Sequence, residues 1–307
     1  MIFFLSHLEM LFLSMIAAVT IVGCLIGIVE PYLPVFLAQS FRYGKFSLKE
    51  GRNHLVGRLE VPKSSFKHFY VFAFLWSTTA LYLVLRTCVA GRPAPESVID
   101  FLDFFCGKSR TEKSTPLETL LVTICMFAQC TRRFWETHFL QIFSRSSRIN
   151  IAHYLVGYIH YFGALVAILG HAQGFVITSG SALVSREQFT WRIIISTAVF
   201  AFAWWHQWRS NVILARLRTD SNGNVVTEKH LMPTGGFFEI ISSPHMMFEC
   251  LIYLSLIPML PGNALWLLIC AWVIANQTQV AHLTHIWYKE TFPKYPKQRR
   301  AIIPWVF

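Results

Sequence analysis

Residues 264–288, ALWLLICAWVIANQTQVAHLTHIWY, begin as an apolar run and turn polar without a break in it. A transmembrane helix needs about 20 predominantly apolar residues. Residues 264–283 supply that length while carrying Asn276, Gln277, Thr278, Gln279 and His282. Polar groups in hydrocarbon are costly, so this stretch predicts a membrane helix that faces something polar. At helical spacing Asn276, Gln279 and Leu283 share one face, and Gln277, Thr278, His282 and His285 form another.

Working outward, further apolar windows fall at about 10–36, 69–90, 117–130, 151–177, 190–205 and 246–260, the third continuing as an amphipathic stretch over 131–143. The first run lacks a basic leader and is long enough to span, so it reads as a membrane helix and not as a cleaved signal. Composition agrees with seven spans. The 307 residues are 54% hydrophobic and only 14% charged, where soluble domains carry about a quarter charged residues, and the mean hydropathy is +0.46. A secreted disulfide scaffold, a disordered tail and a water-soluble nucleic-acid binder are excluded. The expected fold is all-α, a polytopic membrane protein of seven helices in one domain over residues 1–307.

Orientation follows from the basic residues, because cytosolic loops are enriched in Lys and Arg. Of the 27, twenty fall in four segments: Arg42 to Lys67, Arg132 to Arg148, Arg209 to Lys229, and Lys289 to Arg300. A seven-span chain puts all four on one side, which predicts a cytosolic C-terminus and a lumenal N-terminus. Much of the +11 net charge is thereby topological.

The seven cysteines show no CxxC spacing, and five sit in apolar runs where a thiol acts as a small hydrophobe. Cys88 and Cys106 share the lumenal side and are read as free thiols. Twelve histidines are spread singly apart from one HxxH pair, His282 and His285, which lacks the clustered ligands of a metal site. No metal is predicted. His153 and His160 are read as interhelical hydrogen-bonding residues.

Two polar features remain. In WWHQWRSNVILARLR, residues 204–218, Gln207, Asn211, Leu214 and Arg218 share a face, a stripe suited to an anionic, hydrogen-bonding ligand or to a solvated helix end. In MPTGGFFEIISSPHMMFE, residues 232–249, the Gly235-Gly236 pair permits a positive φ turn and Pro244 suits the first turn of a helix. That places His245 and Glu249 at i and i+4. With neither GxGxxG after a strand nor GxxxxGK[ST], any dinucleotide must be held by membrane helices and loops.

The chain ending, His285-x-Trp-Tyr288-Lys followed by Phe292-Pro-Lys-Tyr295-Pro-Lys297-Gln-Arg299-Arg-Ala-Ile-Ile-Pro304-Trp-Val-Phe307, resembles the C-terminus of the steroid 5-alpha-reductase family. GGFFEIISSPH at 235–245 resembles its GG-x-FEYVSSPN/H element, and TRRFWETHFLQIFS at 131–144 resembles its R-x-x-E-T-x-F element. HQWRSNVILARLR at 206–218, Val61-Pro62-Lys63 with His68-Phe69-Tyr70, and Arg42-Tyr43-Gly44-Lys45 are most similar to the polyprenol reductase branch. Most of the cofactor motifs lie in 204–307.

The resemblance implies a seven-helix endoplasmic reticulum enzyme that uses NADPH to reduce a carbon–carbon double bond conjugated to a carbonyl. Its substrate would be a polyprenoid, polyprenol acting through polyprenal, in dolichol synthesis for protein N-glycosylation. By the same resemblance Gln207, Asn211 and Arg218 hold the diphosphate and ribose region of the cofactor. Arg133 and Arg145 are additional phosphate partners, and His245, Glu249 and Tyr288 complete the contacts. Steroid-reducing members carry Asn and Asp where this chain has Gln207 and Asn211. Their substrate-gripping Glu and Tyr on spans two and three meet His68 and Tyr70, and Gln129 and Cys130, here. The acid beside the carbonyl oxygen is expected from His285, His68 or Tyr288. Partners are the lipid substrate and membrane lipids, with no nucleic acid. The alternatives are another 3-oxo-steroid or enoyl reductase of the family, a membrane lipid methyltransferase using S-adenosylmethionine, and a transporter or scaffold.

Overall fold

Three of the long helices begin on side chains that satisfy their first free amides. Thr115 and Glu118 form a reciprocal capping box, with Glu118 accepting from the Thr115 amide at 3.0 Å. Asn150 accepts from the amide of Ala152 at 2.8 Å, and Asn263 from that of Trp266 at 3.0 Å. The computed structural model describes residues 5–29, 32, 57–177 and 182–307. Among these the helices are α1 (His7–Val29), α2 (Phe66–Val84), α3 (Glu96–Cys106), α4 (Pro116–Trp135), α5 (Ile151–Gly170), α6 (Trp191–Arg216), α7 (Pro244–Ser255) and α8 (Ala264–Thr291).

The chain is a mostly helical membrane protein. Four helical segments are long and apolar enough to cross a bilayer by length and composition: His7–Ile26, Lys63–Val89, Ile151–Gly170 and Ala264–Thr291. Pro244–Met259 is apolar but shorter. The windows expected at 117–130 and 190–205 form helices too, yet these run on into polar sequence. α4 buries Glu118, Gln129 and Arg132, and α6 buries Gln207, Ser210 and Asn211. The amphipathic stretch after residue 130 is not separate, since α4 continues to Trp135 and closes in a π-helical turn, Glu136–Leu140. The fourth span stops at Gly170 instead of residue 177. The first is seen as far as Val29, and Arg42, Lys45, Lys49 and Arg52, with the 42–45 motif, lie outside the described residues.

One departure from an all-helical fold is a short antiparallel ribbon of β1 (Glu60–Pro62) and β2 (Arg148–Asn150), pairing Val61 with Ile149. It joins the segments that lead into α2 and α5, so the two helices start side by side and the backbone groups of the leads are satisfied. Close packing follows: a Cβ on Gly157 of α5 would stand 2.6 Å from the Phe69 ring of α2, and one on Gly163 would collide with Phe12 of α1.

At the opposite end the loops are knotted around Arg110, whose side chain is 1% exposed. It pairs with Asp103 at 2.6 Å and donates to the carbonyls of Gly170 at 3.0 Å, Ile99 at 3.2 Å and Phe175. Lys113 reaches the Gly262 carbonyl at 2.6 Å. Removing one partner of a buried pair leaves the other desolvated, at a cost of about 3–5 kcal/mol. Arg110→Ala should therefore lower the unfolding temperature of the purified protein in detergent by many degrees, and an unchanged melting curve would refute this role.

Candidate active site

Gln207, Asn211 and Leu214 on α6, with Arg218 in the turn just past its end, all line one cavity of about 440 Å³, a volume typical of small-molecule sites. The cavity lies among α2, α4, α5, α6, α7 and α8. α2 contributes Phe66, Phe69 and Tyr70, and α5 contributes His153, His160 and Tyr161. His245 and Glu249 come from α7, while Trp272, Val273, Asn276, Gln277, Thr284 and Tyr288 come from α8.

α7 is placed by the turn before it. Gly235 and Gly236 have φ of 89° and 57°, a region that glycine adopts without strain, and Pro244 occupies the first helical turn. Glu249 thereby reaches the helix interface. Gln207 donates to the Glu249 carboxylate and, at 3.3 Å, to the His245 carbonyl. Gln129 of α4 donates to the Gln207 side-chain oxygen at 3.0 Å and to Glu249 at 3.2 Å. Arg132 donates to Gln129 at 2.7 Å, to Gln207 and to the Trp204 carbonyl, and lies over the Trp204 ring at 4.5 Å.

A second cluster centres on Glu136, whose side chain is fully buried. Arg133 pairs with it, Arg132 approaches to 3.4 Å, and Asn211 donates to it at 2.8 Å. Arg133 also donates to the Tyr70 hydroxyl oxygen at 2.9 and 3.3 Å. With its oxygen already accepting two bonds, Tyr70 has its own proton left to offer.

The ribbon end of the cavity is cationic. Lys63 and Arg218 both line it, close enough to repel, and among the described residues neither forms an ion pair. Arg218 donates to the Ile142 carbonyl at 2.6 Å, and burial lowers its pKa from the usual arginine range. This donor set fits the phosphates of a dinucleotide. No described cluster of ligating side chains would hold a metal ion.

Of the residues singled out from sequence, Arg133, Gln207, Asn211, Arg218, His245, Glu249 and Tyr288 line the cavity. Three are elsewhere among the described residues. Arg145 is 96% exposed and lies 3.7 Å from Glu228, because it sits on a loop past the end of α4. His68 is exposed and meets the Tyr154 hydroxyl at 3.3 Å, on a different face of α2 from Tyr70. His285 contacts Ser242 Oγ at 2.7 Å and the Tyr295 hydroxyl at 3.2 Å, joining α8 to the chain ending. Burial raises the Tyr295 phenol above its usual range. The clasp continues through Arg299, which donates to the Pro233 carbonyl at 2.9 Å and approaches Glu239 at 3.3 Å. The amide of Gly235 holds the Glu239 carboxyl below its usual range.

The faces of α8 also fall differently from the sequence reading. Asn276 and Gln277 both look into the cavity, together with Val280, Thr284 and Tyr288, whereas Gln279 packs against Gly23 of α1. Lys63, Tyr161 and the Gln129–Arg132–Glu136 set were not assigned site roles from sequence. The signal for the last was an Arg and a Glu one helical turn apart where an apolar run turns amphipathic. His160 meets the Tyr253 hydroxyl at 2.7 Å across helices, as read from sequence, and all seven cysteines are free.

Comparison with known proteins agrees with the motifs. The family described as 3-oxo-5-alpha-steroid 4-dehydrogenase matches residues 150–307. Polyprenal reductase of Drosophila melanogaster is 47% identical over 306 residues, 98% of this chain and 94% of that protein. Polyprenal reductases of Caenorhabditis elegans and Danio rerio are 30% and 34% identical, over 93% and 86% of this chain and 92% and 85% of those proteins. Motifs in order along the chain and likeness over nearly its full length lead to one conclusion: the chain belongs to the steroid 5-alpha-reductase family.

Proposed function

We propose that the chain is an NADPH-dependent polyprenal reductase of the endoplasmic reticulum membrane, acting on the double bond conjugated to the aldehyde of a polyprenoid on the way to dolichol. The observation that carries this reading is the cavity wall, cationic at the ribbon end and aromatic and aliphatic further in. The full-length likeness to polyprenal reductases supports it.

An isolated alkene does not accept hydride readily, because the charge left on carbon has nowhere to go. A conjugated carbonyl takes that charge on oxygen. When bound, NADPH supplies hydride for the β carbon. Lys63 and Arg218 hold phosphate at the ribbon end, Arg218 through a planar fork suited to it. Tyr288 lies near Arg218 on the same side. Asn211, held by the buried Glu136, offers its carbonyl oxygen to the ribose region, while Gln207, its amide engaged by Glu249, the His245 carbonyl, Gln129 and Arg132, fixes the wall behind it. Tyr70, its oxygen held by Arg133, is placed to deliver a proton from its hydroxyl. His285 is a positioning residue in this scheme, holding the end of α8 and hence Tyr288 against the chain ending. Because Arg133 is already paired with Glu136, its first task is to hold Tyr70, with phosphate binding secondary.

Three outcomes test the proposal. The unmodified protein should use NADPH in clear preference to NADH, and Arg218→Ala should weaken NADPH binding about tenfold or more while leaving the KM for polyprenal near its original value. Equal use of both cofactors would refute it. Tyr70→Phe should lower kcat about a hundredfold with NADPH affinity retained, and undiminished kcat would remove Tyr70 from proton transfer. The ribbon end is taken as cytosolic from the basic bias, so a glycosylation tag between residues 209 and 235 should stay unmodified. Efficient glycosylation there would reverse the orientation.

A further inference from the structure

We propose that Asn276 and Gln277 form the hydrogen-bonding seat for the oxygen at the head of the substrate, in the middle of the membrane. This rests on the reductase reading given above. Asn276 lies near the centre of the 28-residue α8, about 18 Å from its start at 1.5 Å per residue. Both carboxamides line the cavity, and among the described residues neither side chain makes a hydrogen bond. A polar group without a partner at this depth is costly, unless a ligand completes it.

The neighbours narrow the ligand. Thr284 donates its hydroxyl to the Val280 carbonyl of its own helix at 2.8 Å, and His160 is engaged by Tyr253. Trp272 and Val273, one turn further from the ribbon end, are almost wholly buried and apolar. The cations lie at the other end, so phosphates belong there. The two carboxamides therefore stand where a polar wall gives way to an apolar one. A lipid with a single oxygen at the end of a hydrocarbon chain has its polar atom at such a boundary. A carboxamide carries two N–H donors and a carbonyl acceptor, which suits a carbonyl oxygen without placing a charge in hydrocarbon.

The test uses the full-length protein in detergent or nanodiscs and compares it with the Asn276→Leu/Gln277→Met variant, which keeps volume and removes hydrogen bonding. The KM for polyprenal should rise about tenfold, and the NADPH dissociation constant, measured directly, should stay within about twofold. Inhibition by an oxygen-free polyisoprenoid hydrocarbon of equal length should be unchanged. The retained NADPH affinity shows that the variant is folded. A parallel loss of NADPH affinity would overturn the proposal and assign the carboxamides to the cofactor or to folding, and an unchanged KM for polyprenal would overturn it as well. Failure of the reductase reading would appear separately, as absence of NADPH-dependent polyprenal turnover by the unmodified protein.

Discussion

A fully buried carboxyl group is costly without partners, and Glu136 has three. Arg133 and Arg132 supply opposite charge and Asn211 supplies an amide. The consequence is geometric more than energetic, since a buried pair gains little net stability over apolar packing while breaking it is costly. Satisfying Glu136 fixes α4 against α6, and through Arg133 and Tyr70 it fixes α2. Arg132 extends the constraint to Gln207, and Gln207 to Glu249 on α7. Four helices are thus held in register by two carboxylates, which no set of apolar contacts would specify so narrowly.

The cavity is what remains between that polar frame and the helices opposite it. α5 and α8 close the other side, α5 aligned with α2 by the ribbon and by the close approach of Gly157 to Phe69. At the far end the Arg110 knot ties the loops, and at the ribbon end the chain ending is clasped through His285, Arg299 and the glycine turn before α7. The site is therefore framed by elements from both halves of the sequence, although its motifs concentrate in the last third.

Seven of the helices were legible because apolar length is a strong local signal, and the α6 stripe because helical spacing is, whereas the short α3 fell outside every apolar window. The π-turn at Glu136 and the ribbon were not, since both depend on what lies across from them in space. Arg145 illustrates the limit: its charge and position matched a phosphate partner, but a loop past the end of α4 carried it into solvent. His285 was drawn from an HxxY pattern that gives spacing without direction, and its imidazole turns toward Ser242 and Tyr295. On α8 the spacing admitted several faces, and only packing against Gly23 decided that Gln279 would turn away and Asn276 and Gln277 inward.

A soluble dinucleotide enzyme meets phosphate with the backbone amides at a helix N-terminus. In the proposed reading the stripe at the end of α6 would meet its ligand near the helix C-terminus, whose partial charge is negative, so side-chain cations would do that task. Lys63 and Arg218 are affordable only near water, because their cost rises steeply with depth. Deeper in, the wall turns to neutral amides and then to Trp272 and Val273. The order of charge, carboxamide and hydrocarbon along one cavity matches a charged cofactor meeting a lipid whose only polar atom is at its head, and membrane depth dictates that order independently of any motif.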